Sequence, residues 1–89
     1  MGPGDLVRIF SDRHKYVSIG SVALNESGEW IEGDHFPAIA VDSGTLGVIE
    51  GEMRLDGKRV FILWVPSQES FGWLWRHELE TLDETRRSL

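Results

Sequence analysis

The sequence predicts an all-β domain: one small barrel of about five strands, with a long loop excursion and one short helical turn. Three observations lead there. Asp56-Gly57 separates two runs of strand-forming residues and is the strongest hairpin signal in the chain. Residues 59–65 are rich in β-branched and aromatic side chains. Gly47 and Gly51 interrupt the strand before the hairpin, as glycines do at the bulges and bends that let a small sheet curl.

The elements follow in order. After a turn at Gly4, residues 5–10 form a first strand, with Leu6, Arg8 and Phe10 on one face and Val7 and Ile9 on the other. Residues 11–15 are polar and read as a loop. Residues 16–24 form a second strand broken by Gly20. Asn25, Ser27 and Gly28 bring turn chemistry. Trp30-Ile31 and residues 36–41 are apolar islands in polar surroundings, and Pro37 argues against a central strand there. Residues 25–44 are therefore expected to form the long loop, a length that in a small domain is often functional. Residues 45–55 and 59–65 make the hairpin, and residues 66–70 a second turn. Residues 71–75 form a further strand, 76–79 a single helical turn, and 80–82 a closing strand. Residues 83–89 are expected as a polar tail.

At 89 residues the chain suffices for a single domain, residues 1–89. A domain this size buries only about 60–65% of the surface its unfolded chain exposes, which leaves little room for a deep enclosed site. With no cysteine, neither a disulfide framework nor a thiolate metal site is available. No basic stretch followed by an apolar run marks a signal peptide, and Pro3 argues against myristoylation of Gly2. The longest apolar run, residues 60–65, is too short to span a bilayer. The expected setting is the virion or the cytoplasm, away from membranes.

The net charge is −6, and neither half of the chain is basic. Nucleic-acid binders draw much of their affinity from phosphate neutralisation, so this balance argues against that class; Arg54, Lys58 and Arg59 are the candidate for a local basic patch. No catalytic constellation stands out. His14, His35 and His77 are scattered and read as solvent-facing. Gly44 and Gly47 lack the Gly-Lys-Ser/Thr of a phosphate loop, and no serine sits in a nucleophile elbow. The carboxylates lie in turns or alternate along a strand, as Glu50 and Glu52 do. The expectation is a non-enzymatic protein with no cofactor and no metal.

The aromatic residues carry more. Phe71, Trp73 and Trp75 share one face of a strand and Leu74 takes the other; either set could be the core. The preceding strand has Val60, Ile62 and Trp64 on one face and Phe61, Leu63 and Val65 on the other. A single curled sheet has one inside, so apolar residues on both faces require a cover. That cover is either the residue 25–44 loop, with Trp30, Ile31 and Phe36, or another chain. The candidate partner-binding residues are Phe71, Trp73, Trp75, Trp30, Phe36 and Phe61.

The order Gly4-Asp5-Leu6-Val7-Arg8, then Gly44-Thr45-Leu46-Gly47-Val48-Ile49, the Asp56-Gly57 hairpin, Val60-Phe61-Ile62-Leu63-Trp64, Gly72-Trp73-Leu74-Trp75 and Leu79-Glu80-Thr81-Leu82 resembles the SH3-like small barrels, whose last two strands are joined by a helical turn. It is most similar to short barrel proteins encoded by tailed phages. The resemblance covers residues 4–10 and 44–82 and leaves 11–43 outside. It implies an SH3-like barrel that docks on a larger protein assembly, with a virion accessory component (capsid-decorating, neck or tail) as the specific form. A docking subunit of a non-viral complex and a nucleic-acid-binding barrel are the alternatives, and a homo-oligomer is compatible with the first reading. The aromatic groove of domains that bind proline-rich peptides has no counterpart here beyond Phe10 and Tyr16, and the basic turn of KOW modules is missing.

Overall fold

The computed structural model describes residues 2–35 and 38–82. The expected polar tail lies outside them, as does Phe36. Within them the chain is all-β, and every strand pairing is antiparallel. Nine strands occur in the order β1 (Leu6–Ile9), β2 (Tyr16–Ile19), β3 (Val22–Leu24), β4 (Trp30–Glu32), β5 (Ile39–Asp42), β6 (Leu46–Leu55), β7 (Lys58–Val65), β8 (Ser70–Trp75) and β9 (Leu79–Thr81). Short helical turns at Pro66–Gln68 and Arg76–Glu78 precede β8 and β9.

Five strands form the main sheet in the order β8-β7-β6-β1-β9. Among the described residues this sheet is open, with β8 and β9 at its ends, so the expected closed barrel is not formed. The β6–β7 hairpin turns at Asp56 and Gly57, whose positive φ values of 52° and 76° suit the tight turn that joins right-twisted strands. The register of β6 against β7 shifts between Ile49 and Gly51. This bulge exchanges the faces of β6: Ile49 points into the core, whereas beyond the shift Met53 and Leu55 point the other way.

The stretch expected as a long loop differs most from the sequence reading. Residues 25–44 contain β4 and β5, which pair back onto β3 and β2. The tip between β3 and β4 is an Asx turn in which Asn25 Oδ1 accepts the amide N–H groups of Ser27 and Glu29, both at 2.9 Å. The outcome is a two-stranded ribbon in two segments. Its β2–β5 segment adds Val17, Ile19 and Val41 to the core on the inner face of the main sheet, where they join Val7, Ile9, Phe61, Leu63 and Leu74. Its β3–β4 segment lies over the outer face, where Val22 and Trp30 cover Val60, Ile62 and Trp73.

The ribbon changes faces at Gly20, where it crosses the edge of β8. Gly20 and Trp73 exchange backbone hydrogen bonds of 3.2 and 2.9 Å. The crossing depends on two absent side chains. A Cβ at Gly20 would stand 2.6 Å from Cζ2 of Trp73 and closer still to Cε2. A Cβ at Gly72 would overlap Cγ2 of Ile19 and lie 3.1 Å from the Gly20 carbonyl. Glycine is required here for close approach of backbone to neighbour, not for an unusual φ.

Candidate functional site

The β3–β4 segment covers only part of the outer face. Next to it an apolar row crosses four strands. Leu6 pairs with Val48, Val48 with Trp64, and Trp64 with Phe71. At ordinary strand spacing the row spans about 14 Å. Leu6 is 42% exposed and Phe71 41%, and Val48 and Trp64 are half-buried. Leu46, two residues from Val48 and on the same face, is 48% exposed. A row of this kind, left uncovered beside a covered region, is the feature that marks contact surfaces on small domains.

Both ends of the row are built. At the β8 end three aromatic rings meet: Phe71 lies 4.8 Å from Trp64 and 5.3 Å from Trp30, centroid to centroid. Trp30 is placed there by β4 and by Gly51, whose bare Cα leaves 3.3 Å between an added Cβ and the indole. At the β1 end Arg8 donates from Nε to Glu80 Oε2 at 3.0 Å and also from Nη2, and its guanidinium stands 4.7 Å over the Phe10 ring. A partly exposed pair like this contributes about 1 kcal/mol or less, so its main effect is to hold Arg8 and Glu80 as a charge-neutral wall.

The residues expected to meet a partner are divided by this arrangement. Phe71 lies on the exposed row. Trp30 and Trp75 are half-buried against the Val60–Ile62–Trp73 cluster. Trp73 is only 4% exposed, because the ribbon lies across it, and it packs edge-on to Trp75 at 5.5 Å. Phe61, also 4% exposed, points to the inner face, with the Arg59 guanidinium 5.1 Å from its ring. Neither Trp73 nor Phe61 offers a surface. Phe36 lies outside the described residues. Leu6, Leu46, Val48 and Trp64 are the row residues that sequence reasoning did not select. Alternation placed Leu6 opposite Val7 and Ile9 in facing, but it could not align β1, β6, β7 and β8 into one row.

Trp30 connects the row to a groove of about 440 Å³ between the ribbon and β6. Glu29, Glu32, Glu52, Ile31, Met53 and Arg54 line it together with Trp30. Glu52 is engaged by Arg59, and Arg54 Nη1 donates to the Gly57 carbonyl at 3.1 Å. Glu29 and Glu32 have no ion-pair partner among the described residues.

A separate cleft of about 530 Å³ lies between the β1–β2 loop and the turn before β9. It brings together His14 and His77, 63 residues apart in sequence, with Asp12, Arg13 and Glu78. Its hydroxyl, Ser11 Oγ, accepts the backbone N–H groups of Arg13 and His14 at 3.2 Å. That hydroxyl serves to shape the loop. Among the described residues no three His, Asp or Glu side chains are grouped to hold a metal ion, and no helix is long and apolar enough to cross a membrane. Compared with protein-family models, curated proteins and solved structures, the chain matches none.

Proposed function

We propose that this chain is a non-enzymatic docking module that attaches to a larger protein assembly through the outer face of its main sheet. The observation that carries the reading is the uncovered row from Leu6 to Phe71, two ends of which are more than two-fifths exposed. Burying such side chains contributes about 25 cal/mol per Å² of apolar surface removed from water. The helical turn that joins β8 to β9 supports an SH3-like arrangement of the strands. With the resemblance of residues 4–10 and 44–82 to phage-encoded barrels, the specific form proposed is a virion accessory component.

The test replaces the wild-type chain by the double variant Leu6→Ser/Phe71→Ser and fractionates native assemblies by size. The wild-type chain is expected in a large assembly and the variant as free monomer. Because both positions are exposed, the variant is expected to keep its fold, with an unfolding midpoint within about 10 °C of wild type. A folded variant that stays with the assembly at the wild-type level would overturn the reading.

A further inference from the structure

Resting on the docking reading, we infer that the outer face takes a protein segment that is both apolar and basic: its apolar side chains lie along Leu6, Val48, Trp64 and Phe71, and a lysine or arginine enters the groove beyond Trp30. The row fixes the apolar half. The charges around it fix the other half. Glu32 stands two residues from Trp30 in β4 and is exposed; Glu29 opens the same groove. Glu50, at the β6 bulge two residues from Val48, and Glu69, two residues before Phe71, are also exposed. None of these four carboxylates has an ion-pair partner among the described residues. The cation nearest along the row, Arg8, is already engaged by Glu80. In the groove itself Arg54 donates to the Gly57 carbonyl; Lys58 and Arg59 lie at the far hairpin, and Arg59 is engaged by Glu52.

Among the described residues the surface is therefore an apolar strip with an acidic border, on which four carboxylates without an ion-pair partner stand against one arginine without one, Arg54. Complementary potential steers encounter and fixes register, whereas like charges brought together oppose binding. This decides between occupants. A second copy would bring an identical acidic border against this one, on a chain of net charge −6. Nucleic acid and anionic lipid carry the same sign as the border. A basic segment gains from every one of the four carboxylates.

Two designed amphipathic peptides with the same leucine face, one with lysine and one with glutamate on the polar face, would be titrated into the purified full chain by calorimetry. The Leu/Lys peptide is expected to bind at least about tenfold more tightly than the Leu/Glu peptide, and to weaken as salt rises from about 0.05 to 0.5 M. Glu29→Gln/Glu32→Gln is expected to remove most of that preference. Leu6→Ser/Phe71→Ser is expected to abolish binding of both peptides. Equal affinity for the two peptides, or unchanged preference in the Glu29→Gln/Glu32→Gln variant, would overturn the basic-segment inference and leave the docking reading intact. If neither peptide binds, the inference also fails. Sedimentation of the chain alone as a dimer that Leu6→Ser/Phe71→Ser disperses would replace the basic segment by a second copy.

Discussion

Gly72→Ala is expected to lower the thermal midpoint by about 10–20 °C. The reason is geometric. The new Cβ would overlap Cγ2 of Ile19 and press toward the Gly20 carbonyl. Neither neighbour can yield. Ile19 is fully buried in the main core and stiff at χ1, and the Gly20 carbonyl accepts the Trp73 amide at 2.9 Å. Overpacking of this kind costs about 2–3 kcal/mol, and each kcal/mol moves the midpoint of a domain this size by about 4–8 °C. Circular dichroism followed through the thermal transition measures it. A midpoint within about 2 °C of wild type would show that the ribbon does not seat on β8 as described.

Trp73→Ala is expected to cost about 3–5 kcal/mol, because it leaves a large cavity between the ribbon and the sheet. Small domains hold only about 5–15 kcal/mol in total, so this variant is expected to be substantially unfolded well below the wild-type midpoint. Chemical denaturation would give the value directly. Phe71→Ala, two residues away on the same strand face, is expected to cost only about 1 kcal/mol, since Phe71 is 41% exposed. The contrast separates two roles within one aromatic stripe. If both substitutions cost the same, the ribbon does not cover Trp73 while sparing Phe71.

That division also measures how much the sequence disclosed. The strands from Leu46 to Thr81 were legible because each signal was local: the Asp56-Gly57 turn, the branched run before Val65 and the single turn at Arg76–Glu78. The excess of apolar residues on β7 and β8 was legible too, along with the need for a cover. Which segment covers them was not. Residues 25–44 carry little alternation, and β4 owes its strand form to pairing with β3 and to the seat that Gly51 leaves for Trp30. Such tertiary support leaves no periodic trace in sequence. Phe61 illustrates a second limit. Facing is set by strand parity, and the bulge between Ile49 and Gly51 changes parity within β6, so inner and outer faces could not be assigned strand by strand. The row from Leu6 to Phe71 escaped for the same reason, since it exists only once four registers are known.

The crossing at Gly20 has a consequence for association. An end strand of a sheet offers unpaired backbone groups to any other extended chain. On β8 the residues whose backbone groups point away from β7 are Phe71, Trp73 and Trp75, by alternation from Trp73. Gly20 takes both backbone groups of Trp73. The Trp75 amide donates to Glu78 Oε1 at 3.1 Å, and the Phe71 carbonyl accepts the Ser70 hydroxyl at 3.3 Å. The edge is thus capped at Trp73 and at the Trp75 amide by the chain's own ribbon and a carboxylate, with a hydroxyl on the Phe71 carbonyl. A foreign strand cannot extend the sheet there without first displacing them. The middle of the β8 edge is thereby withdrawn from strand addition, which leaves its side chains as the larger contact surface.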